Sequence, residues 1–203
     1  MISSSMEGFE KMSFGGREIF LVYLPNHVQL TSQLLYELNL GMGDLSFSHK
    51  IGGRWENSYL PIEKVPSVRD IVRPIRDLAV NVYGKKLLAL FEPPTGLDHP
   101  PFWFNLSETG DSTGVHNHAR ESLVSGVYYL EVPIDSGDLF FRSDGEEDFS
   151  LVPQAGSVVL FPSELRHGVR INSSSGKRIS LAFNLFAFPL PIFREETFGA
   201  EVP

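Results

Sequence analysis

The chain has no cysteine among its 203 residues. It can therefore carry no disulfide framework, no thiolate metal site and no cysteine nucleophile, and any metal must be held by His, Asp or Glu. Basic residues are scarce: 17 Lys and Arg against 25 Asp and Glu give a formal charge of -8. That balance repels a phosphate backbone, no basic cluster offsets it, and no nucleic-acid partner is expected. No apolar run approaches the roughly 20 residues needed to cross a bilayer. The opening segment MISSSMEGFEKMSF lacks the apolar centre of a signal peptide, so the chain reads as cytoplasmic with no membrane partner. A GxSxG nucleophile segment and a glycine-rich phosphate loop after a strand are also missing, which argues against hydrolase and nucleotide-dependent chemistry.

What is present favours short strands. The 18 glycines and 14 prolines are spread as turn punctuation and form no linker, so one domain over residues 1–203 is expected. Residues 17–24, REIFLVYL, read as a strand ended by Pro25 and Asn26; a helix is expected from near Thr31 to Gly41. Residues 42–65 have no sustained period and read as a long loop or a pair of short strands. Helical spacing returns over 67–83, with Ser67 at the N-cap, Gly84 at the stop, and Pro74 as a kink or the true start. From Leu87 onward the period is that of strands: LLALFE, PFWFNLS, SGVYYLEVP, GDLFFRS, DFSLVP, GSVVLFP, GVRINS and RISLAFNLFAF. Eight such segments predict a sandwich or barrel spanning 87–190, on which the strand and helices of 1–86 pack, with 191–203 as a C-terminal extension.

Two of the six histidines, His116 and His118, stand in GVHNHARESLVSGVYYL. Residues i and i+2 of a strand face the same way about 6.6 Å apart, so two imidazoles there can converge on one ion. His167, in VVLFPSELRHGVRI, lies at an expected turn between strands that can return beside the pair. Nitrogen donors suit iron, zinc, copper or nickel; a polar HNH loop with a surface His167 is the plainer alternative. In the final strand Ile179, Leu181, Phe183 and Leu185 alternate with Arg178, Ser180, Ala182 and Asn184. The second set is either a solvent face or the lining of a cavity in which Arg178 meets a carboxylate as a planar fork. Trp103 and Asn105 share one face of WFNLS, and Asn105 is a candidate contact in the same cavity.

HNH, SGVYYLEVP, SGDLFF, LVPQAGSVVLFPSELRHGV and KRISLAFN, in this order, resemble a family of 2-oxoglutarate- and iron(II)-dependent oxygenases related to the prolyl-hydroxylase-like branch. The resemblance spans roughly residues 100–187. It implies a mainly β fold, a double-stranded β-helix (jelly roll, cupin-like) with flanking N-terminal helices. It implies iron(II) at His116, His118 and His167, and 2-oxoglutarate as cosubstrate held by Arg178, Ser180 and Tyr129. His118 stands where the broader superfamily has Asp or Glu, which leaves the site one unit more positive; Asp111 and Glu121 are the substitutes nearest in sequence. Tyr129 also suits a core aromatic. No further protein acid or base is required. The substrate, a small molecule or a peptidyl side chain, is expected to meet residues 42–65, among them Arg54, Trp55 and Tyr59. Two other readings remain open: a three-histidine, cupin-like dioxygenase or isomerase without 2-oxoglutarate, and a non-catalytic jelly-roll binding protein. The stretch FNLFAFPLPIF could cover a second copy, a possible homodimer.

Overall fold

The computed structural model describes residues 7–48, 50–51, 54–55, 57–94, 98–120 and 122–190. A hairpin, β1 (Glu7–Phe14) and β2 (Arg17–Tyr23), leads into helix α1 (His27–Gly41). Short strands β3 (Ser46–Phe47), β4 (Lys50–Ile51), β5 (Arg54–Trp55) and β6 (Ser58–Tyr59) follow, then helix α2 (Val68–Tyr83) and β7 (Leu87–Ala89). The chain then runs through β8 (Phe102–Ser107), β9 (Thr113–His116), β10 (Val124–Glu131) and β11 (Leu139–Arg142). It ends with β12 (Phe149–Leu151), β13 (Ser157–Pro162), β14 (Arg166–Val169) and β15 (Arg178–Ala187).

The last eight strands define the architecture. β8 pairs with β15, β9 with β14, β10 with β13 and β11 with β12, all antiparallel. First with last, second with seventh, and so inward: this nesting is a long hairpin rolled on itself, the jelly roll. Pairing of β10 with β15 and of β11 with β14 completes two facing sheets. The major sheet runs β1-β2-β13-β10-β15-β8-β6-β3, with β7 also on β15; the minor sheet runs β12-β11-β14-β9. The fold class expected from the sequence is the one found.

The alternation of β15 explains both sides of the major sheet. Leu181, Phe183 and Leu185 join Phe20, Leu38, Ile71, Ile75 and Phe104 in a core under the two helices. On the other side, Ile19, Tyr129, Leu139, Phe141, Val159 and Phe161 fill the space between the sheets. Phe183 is 1% exposed and lies over Gly126 of β10, where any Cβ would strike its ring. Truncating a buried phenylalanine of this kind costs about 3–5 kcal/mol. Helix α2 buries Val68, Ile71, Val72, Ile75, Leu78 and Ala79, one stripe at helical spacing.

Several boundaries differ from the expected ones. Helix α1 starts at His27, not Thr31, because Asn26 adopts a left-handed conformation (φ 59°) and its carbonyl accepts from the Leu30 N–H at 3.0 Å. Ser67 precedes α2 as expected, but its hydroxyl does not cap the helix. It donates to Glu37 Oε1 at 2.7 Å and so ties α1 to the start of α2. Pro74 lies inside α2, which runs on to Gly84, in left-handed conformation at φ 63°. His167 is not in a turn: it belongs to β14, which begins at Arg166. Strand β9 ends at His116, so His118 lies beyond it and the i, i+2 argument does not apply to the pair. The extension 191–203 falls outside the described residues.

Candidate metal centre

The three histidines converge by different routes. His116, the last residue of β9, lies directly opposite His167 of β14 in the antiparallel register. Their rings are 4.4 Å apart between centroids. His118 is brought in by the loop that follows: its N–H donates to the Ser163 carbonyl at 2.8 Å, and its own carbonyl accepts from the Ser122 N–H at 3.0 Å. The ring of His118 then lies 5.0 Å from that of His116 and 5.5 Å from that of His167. One ring nitrogen from each of the three comes within 4.8 Å of the others, a cluster able to hold a metal ion.

Hydrogen bonds fix the tautomers of two of them. His116 Nδ1 is 2.9 Å from the Gly114 carbonyl, and His167 Nδ1 is 2.9 Å from the Leu165 carbonyl. A carbonyl can only accept, so each Nδ1 carries the proton and each Nε2 keeps its lone pair for an ion. His167 is 6% exposed, against the edge of Phe161 at 4.6 Å. Burial, with His116 beside it, holds its pKa down to about 3, well below the usual imidazole range. It is therefore neutral and ready to ligate at physiological pH. Gly168 lets β9 come this close: a Cβ there would meet the Thr113 carbonyl oxygen at 2.8 Å.

A narrow cavity of about 50 Å³ runs inward from the histidines between the two sheets, lined also by Asn105, Tyr129, Arg178 and Ser180. The polar side of β15 is thus interior: Arg178, Ser180 and Asn184 are 3%, 3% and 4% exposed. The solvent-face alternative is overturned. Arg178 Nη1 donates to the carbonyls of Ser136 and Gly137, each at 2.9 Å, which holds the guanidinium plane. Ser180 pairs with Asn105 of β8 and with Tyr129 of β10, so these three residues lie side by side across the sheet. The Tyr129 hydroxyl is pushed up to about 12 by burial, against the pull of Arg178, and stays a neutral donor. The donor set suits iron(II) together with a dianionic keto acid: three imidazole nitrogens at one end, a fixed guanidinium and a phenol at the other.

Of the substitute ligands, Asp111 stands outside the three-residue cluster and accepts from the Glu108 N–H at 2.8 Å within a turn. Glu121 falls outside the described residues, as do the side chains of Arg54 and Trp55. Tyr59 lines a second, outer cavity of about 370 Å³ that shares Asn57, Trp103 and His118 with the inner one. Its other walls include His99, Asn117, Asn184 and Phe186. Asn57 and Asn117 were not among the sequence candidates; lone asparagines in loops carry no periodic signal.

Residues 142–184 match the model of a family described as "Putative 2OG-Fe(II) oxygenase". The match contains His167 and Arg178, so the recognition made from LRHGV and KRIS is borne out for this segment, as sequence of an iron- and 2-oxoglutarate-using enzyme family. No curated protein matches the sequence. Among solved structures, a Pseudomonas putida prolyl-4-hydroxylase is 21% identical over 89% of this chain and 92% of its own, with a TM-score of 0.58. A prolyl hydroxylase from Trichoplax adhaerens, in complex with a hypoxia inducible factor peptide, is 12% identical over 83% of each chain, with a TM-score of 0.62. The alpha-ketoglutarate-dependent epimerase SnoN from nogalamycin biosynthesis is 17% identical over 82% of this chain and 77% of its own, also at 0.62. At these identities the structural likeness shows the shared fold. No helix among the described residues is long and apolar enough to cross a membrane.

Proposed function

We propose that the chain is an iron(II)- and 2-oxoglutarate-dependent oxygenase, with His116, His118 and His167 holding the iron. In this reading Arg178, with Tyr129, Ser180 and Asn105, receives the far carboxylate of 2-oxoglutarate. The observation that carries the proposal is that one cavity between the sheets is lined by all three imidazoles and by the buried Arg178 and Tyr129. When bound, iron with 2-oxoglutarate supplies the oxidising chemistry. The protein's own part is positional. Gly114 and Leu165 set the two tautomers, Ser163 anchors the His118 backbone, and Ser136 with Gly137 hold Arg178 so that its fork meets a carboxylate without reorganising. The packed sheets, with Phe161 against His167, keep bulk water from the inner end.

The all-nitrogen donor set favours a second reading, a three-histidine metal enzyme that does without 2-oxoglutarate, in which the buried Arg178, bonded to the Ser136 and Gly137 carbonyls, has a structural role only. The discriminating experiment is an anaerobic titration of iron(II), then 2-oxoglutarate, into the metal-free protein, followed by the visible metal-to-ligand charge-transfer absorption. The proposal expects a band that disappears in His167→Ala and Arg178→Ala. Metal binding with no band in the wild type would move the assignment to the three-histidine enzyme, and no metal binding would end both.

A further inference from the structure

Resting on that reading, we infer that the outer cavity is the substrate site and that it takes a ring-bearing molecule without negative charge, through a carbonyl or similar neutral acceptor oxygen. The cavity opens on His118 and shares Trp103 and Asn57 with the inner one, so a molecule seated there borders the metal cluster. Its described lining holds no lysine or arginine, and Asp98 contributes a carboxylate. A substrate carboxylate or phosphate would lose hydration there and find no lysine or arginine among the described lining in return.

The hydrogen-bond polarity of the lining is set by a buried chain. Ser125 Oγ donates to Asn184 Oδ1 at 2.8 Å. That spends the one hydroxyl proton of Ser125, so in its 2.9 Å contact with Ser163 the donor must be Ser163; by the same rule Ser122 donates to Ser163 at 2.7 Å. With Oδ1 turned toward Ser125, the amide N–H pair of Asn184 is turned away from that chain and is free of it as a donor. Asn117 is placed similarly, its Oδ1 accepting from the Ala119 N–H at 3.3 Å. The Tyr59 oxygen accepts from Asn57 Nδ2 at 3.2 Å, which leaves the phenol proton to give, and the Trp103 indole can only donate. Four lining side chains thus offer donors. The Tyr59 ring, stacked on His99 at 4.4 Å and 11°, and the Trp103 indole make part of the lining aromatic.

The test titrates N-methylbenzamide, benzoate and benzylammonium into the full chain by ligand-observed NMR. It is done once on the metal-free protein and once with zinc(II), as a diamagnetic substitute for iron(II), and 2-oxoglutarate. N-methylbenzamide is expected to bind about tenfold more tightly than benzoate, the worth of one well-made hydrogen bond, while benzylammonium, which Asp98 can attract, controls for the sign of the charge. Trp103→Phe and Asn117→Ala should each reduce that preference, and Asn184→Leu should reduce it most. If Asn184→Leu does not fold, the other two variants decide. Comparing N-acetylphenylalanine methylamide with the same residue inside an acetylated pentapeptide separates the two sources: tighter binding of the longer chain identifies a polypeptide, and equal binding a free small molecule. Benzoate binding as tightly as the amide, no binding of any probe, or a preference untouched by all the variants would overturn the inference. An amide preference without zinc or 2-oxoglutarate binding would instead sink the oxygenase reading and leave this one standing.

Discussion

Replacing Arg178 with lysine keeps the positive charge and removes the fork. The guanidinium is 3% exposed and gives two hydrogen bonds through one nitrogen, to the carbonyls of Ser136 and Gly137. An ammonium on a flexible stem can keep one of them, so stability should fall by about 1 kcal/mol, the net worth of one hydrogen bond. The larger loss is in cosubstrate binding. A carboxylate gripped by a planar pair of N–H donors would be left with a point charge, a change worth about 1.5–3 kcal/mol, or roughly 10- to 100-fold in Kd. Iron affinity should not change, because Arg178 belongs to β15 of the major sheet while His116 and His167 belong to β9 and β14 of the minor one. Anaerobic calorimetry separates these effects by titrating iron(II) into the metal-free variant and then 2-oxoglutarate into the iron-loaded one. The reasoning is refuted if 2-oxoglutarate binds Arg178→Lys within about twofold of the wild type. It is equally refuted if iron affinity falls in parallel, since the site would then have collapsed as a whole.

Removing His118 as His118→Ala should weaken metal binding by more than the roughly 10- to 100-fold that loss of a merely supporting residue costs; zinc competition measures it, and a smaller effect would transfer the third position to another group. The depressed pKa of His167 makes metal-free stability pH-dependent with a definite sign. The native imidazole stays neutral down to about pH 3, while the unfolded one takes up a proton below roughly pH 6.5, so stability should fall on acidification through that window by up to about 1.4 kcal/mol per pH unit. Urea unfolding between pH 7 and pH 5 in chelator should show a shallower dependence in His167→Leu. Gly137 has φ 92°, and a Cβ there would collide with the Arg170 carbonyl, whereas Gly145, at φ 81°, has open space around it. Gly145→Ala should therefore cost about 1 kcal/mol in thermal unfolding. Gly137→Ala should cost clearly more, and should also weaken 2-oxoglutarate binding, because the Gly137 carbonyl is one of the two that hold Arg178.

The strands of the roll were legible wherever burial on one or both faces wrote a pattern into the sequence, as in β10, β13 and β15. Where burial is slight the pattern fails. Strand β9 reads TGVH, with no fully buried residue, and β1 forms the outer edge of its sheet, where Lys11 and Glu10 serve as well as any apolar residue. Both were missed. The candidate site was readable as a set of residue types, His116, His118, His167 and Arg178, because the proposed chemistry would call for imidazoles and a guanidinium, and these four line one cavity. Its geometry was not: His118 reaches the cluster through a hydrogen bond to Ser163, 45 positions on in the numbering, and His167 through pairing with His116. Those are long-range contacts that no local period encodes. The alternation of β15 left its polar face undecided between solvent and cavity, and only the presence of the minor sheet over it decides.

The place of β9 in its sheet has a thermodynamic consequence. Among the described residues it is a four-residue edge strand paired with β14 alone, and the histidine that ends it faces the histidine of that neighbour. An ion shared by the two would act as a clasp across the last pair of the ladder, and its binding energy would be spent on keeping the edge closed. Loss of metal would then loosen this margin first, baring a row of backbone donors and acceptors that other strands can join. The supply of metal would thus govern how long the folded chain lasts as well as whether it can react.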